Sequence, residues 1–298
     1  MTIFFASSSS VGIPIARELL KEKLVDGFIS NPNKPAGRNR EIQPNPFAIW
    51  AETTNLKVHR PTNNLELKTI IENSELILTC SYGLLINGDL LTIPKLGWLN
   101  VHFSLLPKYR GAAPVQRAIQ NGDSETGYSV FRMEEGLDTG NILYQEKFPI
   151  PPEIKASELL EKLSFSAASK ITQLLSMKSN WTFKKQIGDV SLAPKIRKEE
   201  NRINWSASAK SIFNNFRALD FNGGTHTFFR DEKIDVLEMS MSDFKLEIGE
   251  LMVEGNRLFV GAGTGSLEVT KIRPAGKKIM SVKDWLNGAR ITPGEKFE

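Results

Sequence analysis

Short apolar runs alternate with amphipathic stretches through the first half of the chain. Residues 3–6 and 24–29 read as strands, with an amphipathic helix over 13–22 between them. Residues 46–53 read as helical, and 65–72 as a helix carrying Leu67, Ile70 and Ile71 on one face. A strand over 75–80 follows, then strands at 96–102, 127–133 and 141–150 and a helix over 156–175. This alternation predicts a Rossmann-like α/β unit, a mostly parallel sheet with helices on both faces.

The pattern changes after that helix. Residues 180–204 are polar and basic and read as a connection to a second unit. A helix over 206–218 is entered through Ser206 or Ser208 as N-cap. Short strands follow at 225–230, 233–239, 249–254, 257–261 and 266–273, a spacing that predicts a small β-barrel. The expected division is 1–180, a basic linker over 181–204, and 205–298.

Composition narrows the class. With 298 residues, 40% hydrophobic and 24% charged, the chain has the balance of a soluble globular protein with room for two domains. Its one cysteine, Cys80, excludes an intramolecular disulfide or a Cys-rich metal site and fits a reducing compartment. No leader-like segment and no apolar run of membrane-spanning length is evident, so a cytoplasmic protein with no membrane partner is expected. A net charge of +4 permits a polyanionic partner without demanding one. The basic clusters are Lys34, Arg38 and Arg40 in one loop, Lys195, Arg197, Lys198 and Arg202 in the linker, and Lys277 and Lys278 after a Pro-Ala-Gly turn. The first turn, Ser7-Ser-Ser-Ser-Val-Gly12, lacks the Gly-x-Gly-x-x-Gly spacing of a dinucleotide site.

Candidate chemistry concentrates between Asn100 and Gly140. Of three histidines, only His102 follows an asparagine at i+2, and on a strand these two side chains share a face. An amide donor beside an imidazole suits acyl transfer, where charge develops on oxygen and a proton moves. Taken alone, Asn-x-His is more often a satisfied polar pair than a catalytic one. Asp138-Thr139-Gly140 also occurs in aspartic proteases, but one copy without an internal repeat would require a homodimer. Its plainer reading is a turn between two strands, with Gly140 supplying a positive φ.

The combination of blocks is more specific. Asn100-Val-His, Ser104-Leu-Leu-Pro, Arg110-Gly-Ala-Ala-Pro-Val-Gln, Gly122-Asp-Ser-Glu-Thr-Gly and Gly136-Leu-Asp-Thr-Gly resemble, in order and spacing, the folate-dependent formyltransferases. Pro35-Ala-Gly-Arg38, Cys80-Ser-Tyr-Gly-Leu-Leu, Lys195-Ile-Arg-Lys-Glu-Glu-Asn-Arg-Ile-Asn-Trp205 and Pro274-Ala-Gly-Lys-Lys-Ile-Met-Ser281 extend the likeness to the branch acting on initiator methionyl-tRNA. The resemblance implies an OB-like barrel at the C-terminal end, 10-formyltetrahydrofolate as co-substrate, no metal, initiator methionyl-tRNA as partner and a monomer. It implies a catalytic trio of Asn100, His102 and Asp138. Asn100 and His102 would donate to the oxyanion, and Asp138 would favour a charged His102 or carry the proton. It implies folate contacts from Ser104, Leu105, Leu106, Pro107, Tyr82, Gly83 and Leu84. It places Lys34, Arg38, Arg40, Lys195, Arg197, Lys277 and Lys278 against tRNA. Departures are the Ser7-Ser8-Ser9 turn, Ile86-Asn87, and the segment 218–224. An amino sugar, glycinamide ribonucleotide or water as acceptor, or folate or RNA binding without turnover, are the competing readings.

Overall fold

The computed structural model describes residues 2–36, 41–221 and 223–298. Its first strands, β1 (Ile3–Ser7) and β2 (Gly27–Ile29), are joined through helix α1 (Ile13–Lys21). A hairpin of β3 (Lys34–Ala36) and β4 (Glu41–Gln43) follows, then α2 (Pro46–Ala51), β5 (Val58–His59), α3 (Asn64–Ile71) and β6 (Leu76–Cys80). After α4 (Gly88–Leu91) come β7 (Trp98–His102), β8 (Arg110–Gly111) and α5 (Pro114–Asn121). β9 (Glu125–Arg132), β10 (Ile142–Pro149), α6 (Ala156–Ser176) and β11 (Leu192–Ala193) complete this half.

Seven strands form one sheet in the order β10-β9-β7-β6-β1-β2-β5. The run from β7 to β5 is parallel, and β9 and β10 add antiparallel. Helices on both faces explain why β6 is buried at every position and apolar at all but Thr79. Phe5 and Phe28 pair in register and meet Phe47 of α2, with ring centroids 5.7 and 5.6 Å apart. The pleat turns Ala6 and Ile29 the other way, onto Leu67 and Ile71 of α3.

Strand order reverses between β1 and β6, and ligands of open α/β sheets collect beyond the carboxyl ends of such strands. There the amide of Ser8 donates to the carbonyl of Ser81 at 3.2 Å. Ser9 caps the following 3-10 turn by accepting from the amide of Val11. β7 lies beside β6 and runs parallel to it, so it delivers Asn100 and His102 to the same end of the sheet.

Two compact units divide the chain. One comprises Met1–Pro114, Glu125–Pro149 and Leu159–Ala193, the other Val115–Ser124, Ile150–Glu158 and Pro194–Glu298. The second contains α7 (Ala209–Ala218), whose cap is Ser208, accepting from the amide of Ser211 at 3.1 Å. Its strands are β12 (Thr225–Phe229), β13 (Glu232–Ser242), β14 (Leu251–Glu254), β15 (Arg257–Gly261), β16 (Ser266–Pro274) and β17 (Met280–Ser281). They run β12-β13-β16-β15-β14, with β17 on β16. Register shifts around Glu238 bend β13 against β16, as bulges do. Residues 295–298 hydrogen-bond to both outer strands. Phe228 and Glu298 exchange two backbone bonds, while the amide of Leu251 donates to Glu295 and that of Phe297 to Gly249. The last residues thus bridge the two outer strands, as closure of a small barrel requires. Inside lie Val236, Leu258, Val260, Leu267, Val269 and Ile272, all buried. Helix α8 (Val282–Ala289), absent from the sequence reading, packs Trp285, Leu286 and Ala289 against this core at helical spacing.

Candidate active site

Asn100 and His102 occupy alternate positions of β7 and share a face, as the period of a strand requires. The hydroxyl of Thr79, on neighbouring β6, donates to Oδ1 of Asn100 at 2.7 Å. That bond occupies the amide oxygen and leaves Nδ2 as the donor the side chain presents. Thr79 was invisible to the sequence reading, being 21 residues away.

His102 is buried, with Nε2 2.8 Å from the carbonyl of Tyr109 and Nδ1 3.6 Å from Oδ2 of Asp138. A carbonyl only accepts, so Nε2 carries the hydrogen and Nδ1 of the neutral ring is a base facing a carboxylate. Burial pushes the His102 pKa below its ordinary 6.5, outweighing the opposite pulls of Asp138 and the Tyr109 carbonyl. The resting imidazole is therefore neutral at pH 7. Asp138 does favour the charged form, as its sequence position led one to expect, but desolvation is the larger effect.

Asp138 itself takes the left-handed conformation, with φ 50°. Gly140, expected to supply the positive φ, does not, and its role is close approach. A Cβ there would sit 1.7 Å from the carbonyl oxygen of Arg132. Oδ2 of Asp138 accepts from the amide of Gly111 at 2.8 Å. Gln186 holds the loop from behind, its Nε2 donating to the carbonyls of Asp138 at 2.7 Å and Gly140 at 2.9 Å. Its Oε1 accepts from the Arg110 guanidinium at 2.6 and 3.2 Å.

The loop after β7 is locked by one of its own hydroxyls and by polar side chains of β9 and β10. Ser104 Oγ donates to the carbonyl of Lys108, and Ser129 Oγ to the carbonyl of Ser104, each at 2.6 Å. Gln145 Nε2 donates to the carbonyl of Leu106 at 2.7 Å. Ser104, Leu106 and Pro107 are buried, so Leu105 is the half-exposed side chain of the four. On the next loop Tyr82 and Leu84 are half-buried against the sheet core and Gly83 is exposed. The buried Tyr82 hydroxyl has no hydrogen-bond partner among the described residues, and burial raises its pKa, keeping it a donor. Asn100, His102 and Asp138 are thus arranged as an amide donor beside a base paired with a carboxylate. That set can stabilise an oxyanion and move one proton.

The protein-family model described as "Formyl transferase" matches residues 2–175, and "Formyl transferase, C-terminal domain" matches 195–290. The methionyl-tRNA formyltransferase of Salinispora arenicola is 35% identical over 306 residues, covering 99% of this chain and 99% of that protein. That of Renibacterium salmoninarum is 35% identical over 305 residues, covering 100% and 99%. The chain belongs to the formyltransferase family. Solved structures bear out the formyltransferase fold. The methionyl-tRNA formyltransferase from Clostridium thermocellum superposes with a TM-score of 0.59 at 21% identity, covering 81% of this chain and 94% of that one. WlaRD, a sugar 3N-formyltransferase solved in the presence of dTDP and 5-N-formyl-THF, gives 0.68 at 19%, covering 93% and 99%.

Among the described residues, the basic side chains that the formyltransferase resemblance singles out are exposed. Lys34 is exposed on β3, while Arg38 and Arg40 lie outside the described residues. In the second unit Lys195 and Arg197 are exposed ahead of a short 3-10 turn, and Lys277 and Lys278 are exposed between β16 and β17. Among the described residues no cluster of three or more His, Cys, Asp or Glu could hold a metal, and no helix is long and apolar enough to cross a membrane.

Proposed function

We propose that this chain transfers the formyl group of 10-formyltetrahydrofolate to the amino group of initiator methionyl-tRNA, in translation initiation in the cytoplasm, as a monomer. The observation that carries the chemistry is the Thr79-oriented amide of Asn100 beside the His102–Asp138 pair. The full-length likeness to methionyl-tRNA formyltransferases, barrel included, supports the acceptor.

Asn100 Nδ2 donates to the formyl oxygen as it becomes negative, when the amine nitrogen bonds to the formyl carbon. The His102–Asp138 pair takes the proton the amine must lose. Once protonated, the imidazolium has both hydrogens satisfied, Nε2–H by Tyr109 and Nδ1–H by Asp138. The same pair returns the proton to the folate nitrogen as its bond to the formyl carbon breaks and the carbonyl re-forms. Leu105 and the loop of Tyr82, Gly83 and Leu84 offer the folate an apolar wall. Lys34, Arg38, Arg40, Lys195, Arg197, Lys277 and Lys278 would neutralise tRNA phosphates.

The test is to supply purified protein with formyl donor and charged initiator tRNA, elongator tRNA, a nucleotide-linked amino sugar, glycinamide ribonucleotide, or no acceptor. Formylation of initiator tRNA should have the highest kcat/KM and weaken steeply as salt rises, because phosphate contacts release counterions. Faster transfer to a small acceptor, or faster formate release from the donor alone, would overturn the assignment.

A further inference from the structure

Residues 184–193 run along the catalytic loops rather than away from them. The backbones of Lys184 and Ile142 exchange two hydrogen bonds of 2.8 Å. Gln186 clamps the carbonyls of Asp138 and Gly140 and ties them to Arg110. Oγ of Ser191 accepts from the amide of Tyr109 at 2.9 Å, and its carbonyl accepts from the amide of Arg110 at 2.9 Å. β11 then pairs in parallel with β8. Gly111, at φ 121°, passes so close that a Cβ there would lie 2.7 Å from the carbonyl oxygen of Ala193.

These contacts converge on three groups. Tyr109 supplies the carbonyl that binds Nε2 of His102, from a backbone at φ 60°. Gly111 supplies the amide that binds Oδ2 of Asp138. Asp138 sits at φ 50° with its own carbonyl in the Gln186 clamp. Left-handed backbone at residues other than glycine persists only where surrounding structure holds it. Side-chain order along the segment agrees. Gln186 turns inward and is half-buried, whereas Ile187 is 88% exposed, the reverse of ordinary hydrophobic sorting.

We infer that the segment 184–193 is a strap that sets the distance between His102 and Asp138, with Gln186 and Ser191 as its positioning residues. The inference rests on the proposed role of that pair in proton transfer. Gln186 touches no reacting atom; its amide fixes where the Asp138 carboxylate stands. A carboxylate that drifts from Nδ1 no longer completes the acceptor for the amine proton, while Asn100 and the folate loops keep their places.

The experiment is a double-mutant cycle on full-length protein, with kcat, folate KM and the pH profile measured for Gln186→Ala, Gln186→Glu, Asp138→Asn and the doubles. Gln186→Glu keeps an oxygen for Arg110 but faces the two carbonyls with an acceptor. Each Gln186 variant should lower kcat by about tenfold to a hundredfold, as misplacement of a reacting group by an ångström does, and leave folate KM unchanged. The acidic limb of the pH profile should move to lower pH, because the carboxylate that raises the His102 pKa has been loosened. In the Asp138→Asn background the same Gln186 changes should cost less than about threefold, since partners acting through one group are non-additive. Thermal melting identifies unfolded variants, and Gln186→Glu or Ser191→Ala then carries the cycle. A Gln186 loss that multiplies fully with that of Asp138→Asn, or an unmoved acidic limb, overturns the strap. Near-normal turnover of Asp138→Asn itself would instead overturn the proton-transfer reading beneath it.

Discussion

The catalytic end of the sheet and the C-terminal barrel both contain backbone at positive φ, but for opposite reasons. In the barrel the left-handed positions include Gly249, Gly255, Gly265 and Gly276, with Arg230 and Asp231 forming the two-residue turn between β12 and β13. Hairpin turns demand that geometry locally. At the catalytic end Tyr109 and Asp138 adopt it although neither closes a hairpin of that kind, at about 1–3 kcal/mol each. Long-range bonds from Ser191 and Gln186 hold them. Positive φ at the catalytic end thus aims a carbonyl and a carboxylate, whereas in the barrel it closes turns, at glycine in most of the positions named.

The difference is broken or sharpened by perturbing each region in turn. The largest effect is expected from Asn100→Ala, which should lower kcat by about 10²–10³, the cost of one oxyanion donor, with melting temperature and folate binding nearly unchanged. Steady-state formylation beside a folate titration checks it, and near-normal kcat would remove Asn100 from the chemistry.

A second, graded effect concerns pH. His102 has a lowered pKa, so it is neutral at pH 7 and takes a proton only as pH falls below its ordinary 6.5. Turnover should therefore be flat around neutrality and decline on an acidic limb lying below that value, about tenfold per pH unit once His102 is mostly protonated. A limb centred above it would mean that burial does not dominate the site. A stability-matched measurement by circular dichroism separates this limb from acid unfolding.

The smallest effect belongs to the barrel. Ile272→Val removes one buried methyl group from its core and should cost about 0.5–1.5 kcal/mol of stability. Turnover at saturating substrate should be unaltered, since no strained catalytic backbone depends on that core. A fall in kcat matching that of a trio variant would erase the distinction between the two regions.

Much of this was legible in the chain. Short apolar runs pointed to the strands, amphipathic stretches to the helices, and the regular spacing of short strands between 225 and 273 to the barrel. The two-residue spacing of Asn100 and His102 put them on one face of a strand. Asp138 was found by its place in a motif. Thr79, Gln186 and Ser191 were not found, because a polar residue in a polar stretch carries no local sign of what it will bind. Their partners are 21, 48 and 82 residues away.

The amino-acid sequence by itself determined the alternation of elements, the presence of an α/β sheet and of a C-terminal β-rich part, and the side-chain chemistry available to the site. These depend on periodicity and residue type, which are local. Tertiary structure alone decided the protonation state of His102, because desolvation requires the folded surroundings of the ring. It also decided which residue of the Asp138 turn bears the left-handed φ, since that depends on how close the Arg132 carbonyl comes to Gly140. The path of residues 184–193 along the catalytic loops was likewise a tertiary outcome, made by hydrogen bonds between segments that the chain brings together only by folding.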